Sequence, residues 1–186
     1  MARNLNQQES GKTKGTPRKR NAVQTAGNFL YAIIFLLLFI FAILFYDSAK
    51  LTVALYSGWI LFAFGVCMLF LASQSRRRAR EKIDPSKNVV IETGMYAYVR
   101  HPEFFSQFFI VFGLVFICQY WVSVVFGIVL IVFLGLAIMD EEKINKEKFG
   151  QAYIAYMQRV PRINLIAGVM RQIKQKRRIQ APIKHG

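Results

Sequence analysis

The sequence predicts an all-α integral membrane protein with about four transmembrane helices, a cytoplasmic loop between the second and third, and C-terminal amphipathic helices. Three observations carry that prediction. Charge vanishes over Asn21 to Tyr46 (26 residues), Leu51 to Ser75 (25) and Phe104 to Met139 (36). The 186 residues, enough for one domain, are 54% hydrophobic and 15% aromatic, yet they carry 25 Lys and Arg against 10 Asp and Glu, a net charge of +15. Finally, 24 of the 25 basic residues lie in segments that one topology places on the same side of a bilayer. A soluble nucleic-acid binder could carry the charge but not the long apolar runs, so nucleic acid is not an expected partner.

The arm 1–26 is rich in Gln, Ser, Gly, Thr and Lys and is expected to be disordered, with Thr16-Pro17-Arg18-Lys19-Arg20 lying against anionic headgroups. Crossing about 30 Å of hydrocarbon takes roughly 20 apolar residues. The first run suffices, with its core from Phe29 to Tyr46. It is too long for a signal-peptide core and no small-residue cleavage site follows, so it reads as an uncleaved anchor. Leu51 to Ser75 is the second crossing. Phe104 to Met139 is too long for one crossing and slightly short for two. The patch Cys118-Gln119-Tyr120-Trp121 in its middle suits a turn at the far interface, with helices that extend past the charge-free limits or a thinned bilayer.

Orientation follows from the basic residues: six in the arm, seven from Arg76 to Arg100, eleven from Lys143 to Lys184, and Lys50 alone outside. Both termini are therefore expected in the cytoplasm. Beyond Phe149, the positions Ala152, Tyr153, Tyr156 and Val160 recur at helical spacing until Pro161. Ile166, Val169, Met170 and Ile173 repeat the pattern with Arg171, Lys174, Gln175 and Arg178 opposite, an interfacial signature, although Lys174 to Arg178 also reads as a solvated charge run. The organisation is then 1–26 arm, 27–75 two crossings, 76–162 functional region with a membrane hairpin, and 163–186 basic interfacial tail.

Chemistry concentrates at the ends of the hairpin. Gly94-Met95-Tyr96-Ala97-Tyr98-Val99-Arg100-His101-Pro102 precedes it and Asp140-Glu141-Glu142 follows it. Ionisable groups at such positions are costly unless they face water or a polar ligand. Both clusters adjoin one membrane surface and can line one pocket. Singly, each is weak: His101 could be a helix cap, and Lys143, Lys146 and Lys148 could neutralise the acids as surface pairs. Cys67 and Cys118 have no Cys or His at ligand spacing and read as two buried free thiols, so no metal site is expected.

The ordered set Gly94, Tyr96, Arg100, His101, Pro102, Glu141, Glu142, Phe149, Gly150, Tyr153, Tyr156, Val160, Pro161, Arg162 resembles the isoprenylcysteine carboxyl methyltransferase family, whose C-terminal architecture is shared with integral-membrane phospholipid N-methyltransferases. The likeness spans Asn88 to Arg162; the first two crossings match only in being apolar. It implies a membrane methyltransferase that uses S-adenosylmethionine. The family's cofactor contacts would fall on Asn88, Val89, Val90, Ile91, Tyr96, His101, Pro102, Glu103, Phe104 and Glu141. Glu141 would take the cofactor's ammonium, Val89 to Ile91 and Tyr96 would wall its adenine, and the N–H groups at the helix start by His101 would favour its carboxylate. Glu142, about 100° around the helix, is expected to matter less.

The implied acceptor is lipophilic, drawn sideways from membrane lipid, and most simply a carboxylate, which needs no general base near neutral pH. Arg100, His101 and Arg162 are the candidate catalytic residues. Two departures bear on the acceptor: Ala137 stands where eukaryotic prenylcysteine enzymes carry an Arg, and Phe104 stands where the family commonly has Tyr. Arg100 or Arg162 could receive the carboxylate instead. The alternatives are a phospholipid N-methyltransferase, a sterol-reductase-like membrane enzyme using NADPH, and a non-catalytic four-helix membrane protein.

Overall fold

A computed structural model describes residues 22–83 and 89–180, with side chains over 25–83 and 89–174. Those residues form six α-helices and one short 3₁₀ turn, with no strand among them. The helices are α1 Ala22–Leu44, α2 Thr52–Lys82, α3 Pro102–Cys118, α4 Trp121–Phe149, α5 Gln151–Arg159 and α6 Leu165–Gln180; the 3₁₀ turn is Gly94–Ala97. Three of them, α1, α2 and α4, are long and apolar enough to cross a membrane. With 17 residues, α3 spans only about 26 Å at 1.5 Å per residue.

The long apolar run does break at the aromatic patch. Gln119 takes a left-handed conformation (φ 54°) that ends α3, and α4 begins two residues later. The helices also overrun the charge-free limits as expected: α4 continues ten residues past Met139. Two boundaries need correction. Ala22 to Ala26, assigned to the disordered arm, are already helical, and the rest of that arm lies outside the described residues. The limit at Ser75 is not an element boundary, because α2 runs unbroken to Lys82 and carries Arg76 to Arg80 on a helix rather than a loop. Charge ends a hydrophobic run but does not end a helix, and Arg and Lys are good helix formers.

At the centre lies α3, which touches α1, α2 and α4. Its Ile110, Val111, Leu114 and Cys118 pack with Leu38 and Ala42 of α1 and Leu130 of α4. Against α2 the approach is closer still. The buried residues of α2 are Gly58, Gly65, Ala72 and Ala79, every seventh position, a repeat that keeps one thin seam on an antiparallel neighbour. A side chain at Gly65 would put its Cβ 2.8 Å from the Ile110 backbone nitrogen and 2.9 Å from the Ser106 oxygen. Extended towards the polar end, that seam sets Arg76 of α2 beside Glu103 of α3.

The two interhelical turns at the opposite end satisfy one another. The last carbonyls of α3 lack intrahelical partners; the Asp47 and Ser48 N–H groups donate to Ile117 and Cys118 at 3.0 and 3.3 Å. The Gln119 amide accepts from Leu51 N–H at 2.8 Å and donates to Leu51 O at 3.1 Å. Phe45 stacks on Tyr120 and Trp59 donates to Tyr46, as suits an interfacial aromatic belt. Of the two free thiols only Cys118 is buried, its Sγ 3.6 Å from the Phe41 carbonyl; Cys67 is exposed on the outer side of α2, which corrects the expectation of two buried ones.

Candidate functional site

At the polar end, segments separated by up to 87 positions converge, from Ser75 to Arg162. Gly94 opens the loop with φ 63°, and a Cβ there would meet the Ser75 Oγ at 2.8 Å, so the position calls for glycine on both counts. Ser75 Oγ accepts from the Met95 N–H at 3.4 Å. From the other side, Arg100 and His101 N–H donate to Pro161 O (3.0 Å) and Arg162 O (3.2 Å), which lays the segment after α5 alongside the Arg-His-Pro step. Buried Tyr156 donates from its hydroxyl to Tyr96 O at 2.7 Å; burial pushes its pKa upward, so it stays a donor. Tyr153, Tyr156 and Val160 form a small apolar cluster on which Val90 packs.

His101 stands between two charge clusters. Its Nε2 is 3.3 Å from Glu142 Oε1 and its Nδ1 is 3.8 Å from Glu141 Oε2. Burial, helped by the Arg100 and Arg162 guanidiniums, outweighs the pull of Glu142 and pushes its pKa down to about 4. At neutral pH the ring is therefore uncharged. It donates from Nε2 to Glu142, which leaves Nδ1 as an acceptor on the Glu141 side.

The Glu142 carboxylate is 3% exposed and carries the densest contacts of the site. Arg162 grips it with two hydrogen bonds, Nε to Oε1 at 3.0 Å and Nη2 to Oε2 at 2.7 Å. Arg100 Nη1, on a side chain that is 8% exposed, lies 3.0 Å from Oε1. That contact is an ion pair rather than an aligned hydrogen bond, and Arg100 Nε has no acceptor among the described residues either. Two guanidiniums on one carboxylate leave this side with a surplus positive charge.

The Glu141 side is the more acidic in its described side chains. Arg76 Nη2 pairs with Glu103 Oε2 at 2.8 Å, and Arg76 Nε donates to the Tyr96 hydroxyl at 2.9 Å, which in turn donates to Glu103 Oε1 at 3.3 Å. Burial raises the Tyr96 pKa to about 12, so the phenol is neutral. Glu141, about one-third exposed, adds a second carboxylate to the field felt by Arg76 and Tyr96. Two carboxylates, Glu103 and Glu141, thus lie on this side of His101, with Arg76 paired to Glu103. A zwitterion, with ammonium towards Glu141 and His101 Nδ1 and carboxylate towards Arg100 and Arg162, complements both sides.

Most of the expected site residues meet here: Tyr96, His101, Pro102, Glu103 and Glu141, with Phe104 edge-on to the His101 ring at 5.8 Å. Asn88 lies outside the described residues. Val89 is half exposed, while Val90 and Ile91 are partly buried. Tyr96 is only 7% exposed and holds Arg76 and Glu103, so it acts as a support for the loop rather than an open wall. The backbone N–H of His101 is taken by Arg162 O and is not offered to a ligand. Glu142, expected to matter less than Glu141 to the cofactor, is the buried hub of the ion pairs. Arg76 is hidden among the basic residues from which an orientation is expected; its place on the α2 seam, opposite an acid, is the signal that singles it out.

No curated protein and no solved structure matches the chain. Residues 6–160 match the family described as "Protein of unknown function (DUF1295)", which takes in α1 to α5 and every site residue except Pro161 and Arg162. With most of its length covered by that match, the chain belongs to the DUF1295 family.

Proposed function

We propose that the protein is a membrane methyltransferase that binds S-adenosylmethionine at the polar end of the helices and methylates a lipophilic carboxylate. The observation that carries this reading is the placement of acids and guanidiniums on opposite sides of neutral His101, Glu141 by Nδ1 and Arg100 and Arg162 around the Glu142 that meets Nε2. The amino-acid portion of the cofactor is a zwitterion of that polarity, so the residues present fit it. Glu141 and His101 Nδ1 would hold the ammonium, Arg100 and Arg162 a carboxylate, and Val89 offers exposed apolar surface for the base. When bound, the cofactor supplies an electrophilic methyl group on a sulfonium.

The chain's own task is then to align the acceptor and exclude water. A base of pKa about 4 is poorly suited to deprotonate an amine near neutral pH, and a carboxylate acceptor needs no base. That favours O-methylation over the phospholipid N-methyl alternative. An apolar groove along α1, lined by Tyr31, Ala32, Phe35, Leu36 and Phe39, favours a lipid tail. The groove starts where the Tyr31 hydroxyl donates to Gln107 at 2.9 Å, six residues or about 9 Å along α3 from His101. In this reading α3 is the fourth, short crossing and both termini face the cytoplasm, as the distribution of basic residues favours.

Calorimetric titration of the detergent-purified protein with S-adenosylmethionine tests the proposal; absence of binding by folded protein overturns it. Glu141→Gln should keep the fold and weaken the cofactor by roughly 10- to 150-fold, the loss of one charge-assisted bond of about 1.5–3 kcal/mol. With radiolabelled cofactor on lipid extract, a base-labile product identifies a methyl ester, and a base-stable one transfers the assignment to an amine.

A further inference from the structure

Helix α6 is tied to the candidate site by its backbone. Its Gly168 lies so close to Tyr98 that any Cβ would collide with the Tyr98 carbonyl, and Gln172 Nε2 donates to Ala97 O at 3.0 Å. Both contacts fall on the segment between Tyr96 and His101. The inner face of α6 is thus used by Gly168 and Gln172.

Its outer face has no covering among the described residues. Ile166 is 74% exposed, Met170 55%, Ile173 47% and Val169 38%. At 100° per residue these four fall within about 100° of one another. Arg171 and Lys174 fall on one flank of that arc, and the sequence adds Lys176, Arg177 and Arg178 to the same helix. One nitrogen of Arg171, Nη1, is buried and has no hydrogen-bond acceptor among the described residues. That nitrogen faces the fold, whereas the rest of the partly buried Arg171 side chain and the exposed Lys174 lie on the flank of the apolar arc. The surface is also continuous with the membrane region, because Ala97 and Tyr98 stand four to five residues before the start of α3.

We propose that α6 docks on an anionic lipid surface, with Ile166, Val169, Met170 and Ile173 among the acyl chains and Arg171 and Lys174 on lipid phosphates. Docked in this way, α6 holds the Ala97 and Tyr98 carbonyls and so braces the Tyr96–His101 segment against the membrane. This inference rests on the membrane reading of the chain and not on methyl transfer, so it can fail or stand independently of the catalytic proposal.

The test uses the full chain in lipid nanodiscs, with Cys67→Ala and Cys118→Ala and a fluorophore on Met170→Cys. Discs of phosphatidylcholine alone are compared with discs in which one third is phosphatidylserine. Expected in the anionic discs are blue-shifted emission, quenching by lipids spin-labelled near the headgroup, and slower amide exchange at residues 97–101. Arg171→Gln and Lys174→Gln should each weaken docking about fivefold, and added salt should do the same. Gly168→Val should release exchange protection at 97–101 while α1 to α4 keep theirs. Water-like emission in both kinds of disc overturns the proposal. Equal quenching in both overturns the anionic requirement. A blue shift that depends on protein density and ignores the lipid quenchers assigns the face to a second copy of the chain and also overturns it.

Discussion

The two ends of the helix bundle close the same two hairpins by opposite means. At the aromatic end, the turns 45–51 and 117–121 satisfy their backbone groups with one another and with the neutral amide of Gln119, and rings fill the remaining space. At the polar end, Arg100, His101, Glu142 and Arg162 are brought together with Glu142 almost wholly buried. Burying an ion pair rarely stabilises a fold more than an apolar contact of the same size. The aromatic end joins these helices with no buried ion pair among the described residues, although one carboxylate oxygen, Asp47 Oδ1, is buried there. The polar end therefore accepts a desolvation cost that packing alone does not require, which is the pattern expected where a fold is shaped around a ligand.

Glu142→Gln should break that contrast most severely. It leaves Arg100 and Arg162 without their shared carboxylate, and removal of one partner from a buried pair costs about 3–5 kcal/mol. A urea or thermal unfolding series in detergent measures it. A loss below about 1 kcal/mol would mean that the cluster is hydrated and resembles the opposite end.

His101 gives the next largest effect and sharpens the contrast with pH. Its folded-state pKa of about 4 lies below its ordinary 6.5, so the unfolded chain binds more protons between those values and stability rises with pH there. The contribution of the neutral ring is fully present above pH 6.5 and is lost as the pH falls towards 4. Wild-type stability should drop across that window and His101→Gln should flatten the drop. A parallel pH profile in the variant would assign the acid sensitivity elsewhere.

Gln119→Ala, at the aromatic end, should have the smallest effect. It removes two exposed hydrogen bonds to Leu51, each with a net worth of about 0.5–1.5 kcal/mol. Binding at the polar end should be unchanged. A larger effect on cofactor affinity than on stability would show that the two ends are mechanically coupled through α3.

The asymmetry between Glu141 and Glu142 explains how far the sequence can be read. Adjacent acids after an apolar run look alike in one dimension. Only the placement of Arg162, twenty residues later, and of Arg100, just ahead of α3, makes one of them the buried hub and leaves the other about one-third exposed. Arg76 illustrates the same limit. Within Arg76-Arg77-Arg78 one charge fits the positive-inside bias as well as the next, yet only Arg76 falls on the seam that meets Glu103.

Local rules determined the rest. Hydrophobic length and charge-free runs placed α1, α2 and α4; the Gln-Tyr break divided α3 from α4; helical spacing and Pro161 bounded α5. These features depend on neighbours a few residues apart, where solvation and backbone sterics act alone. Which charges are buried, which hydroxyl holds the loop and which face of α6 remains bare were decided by the tertiary structure, because each depends on groups 20 to 75 positions away in the chain that only packing brings within bonding distance.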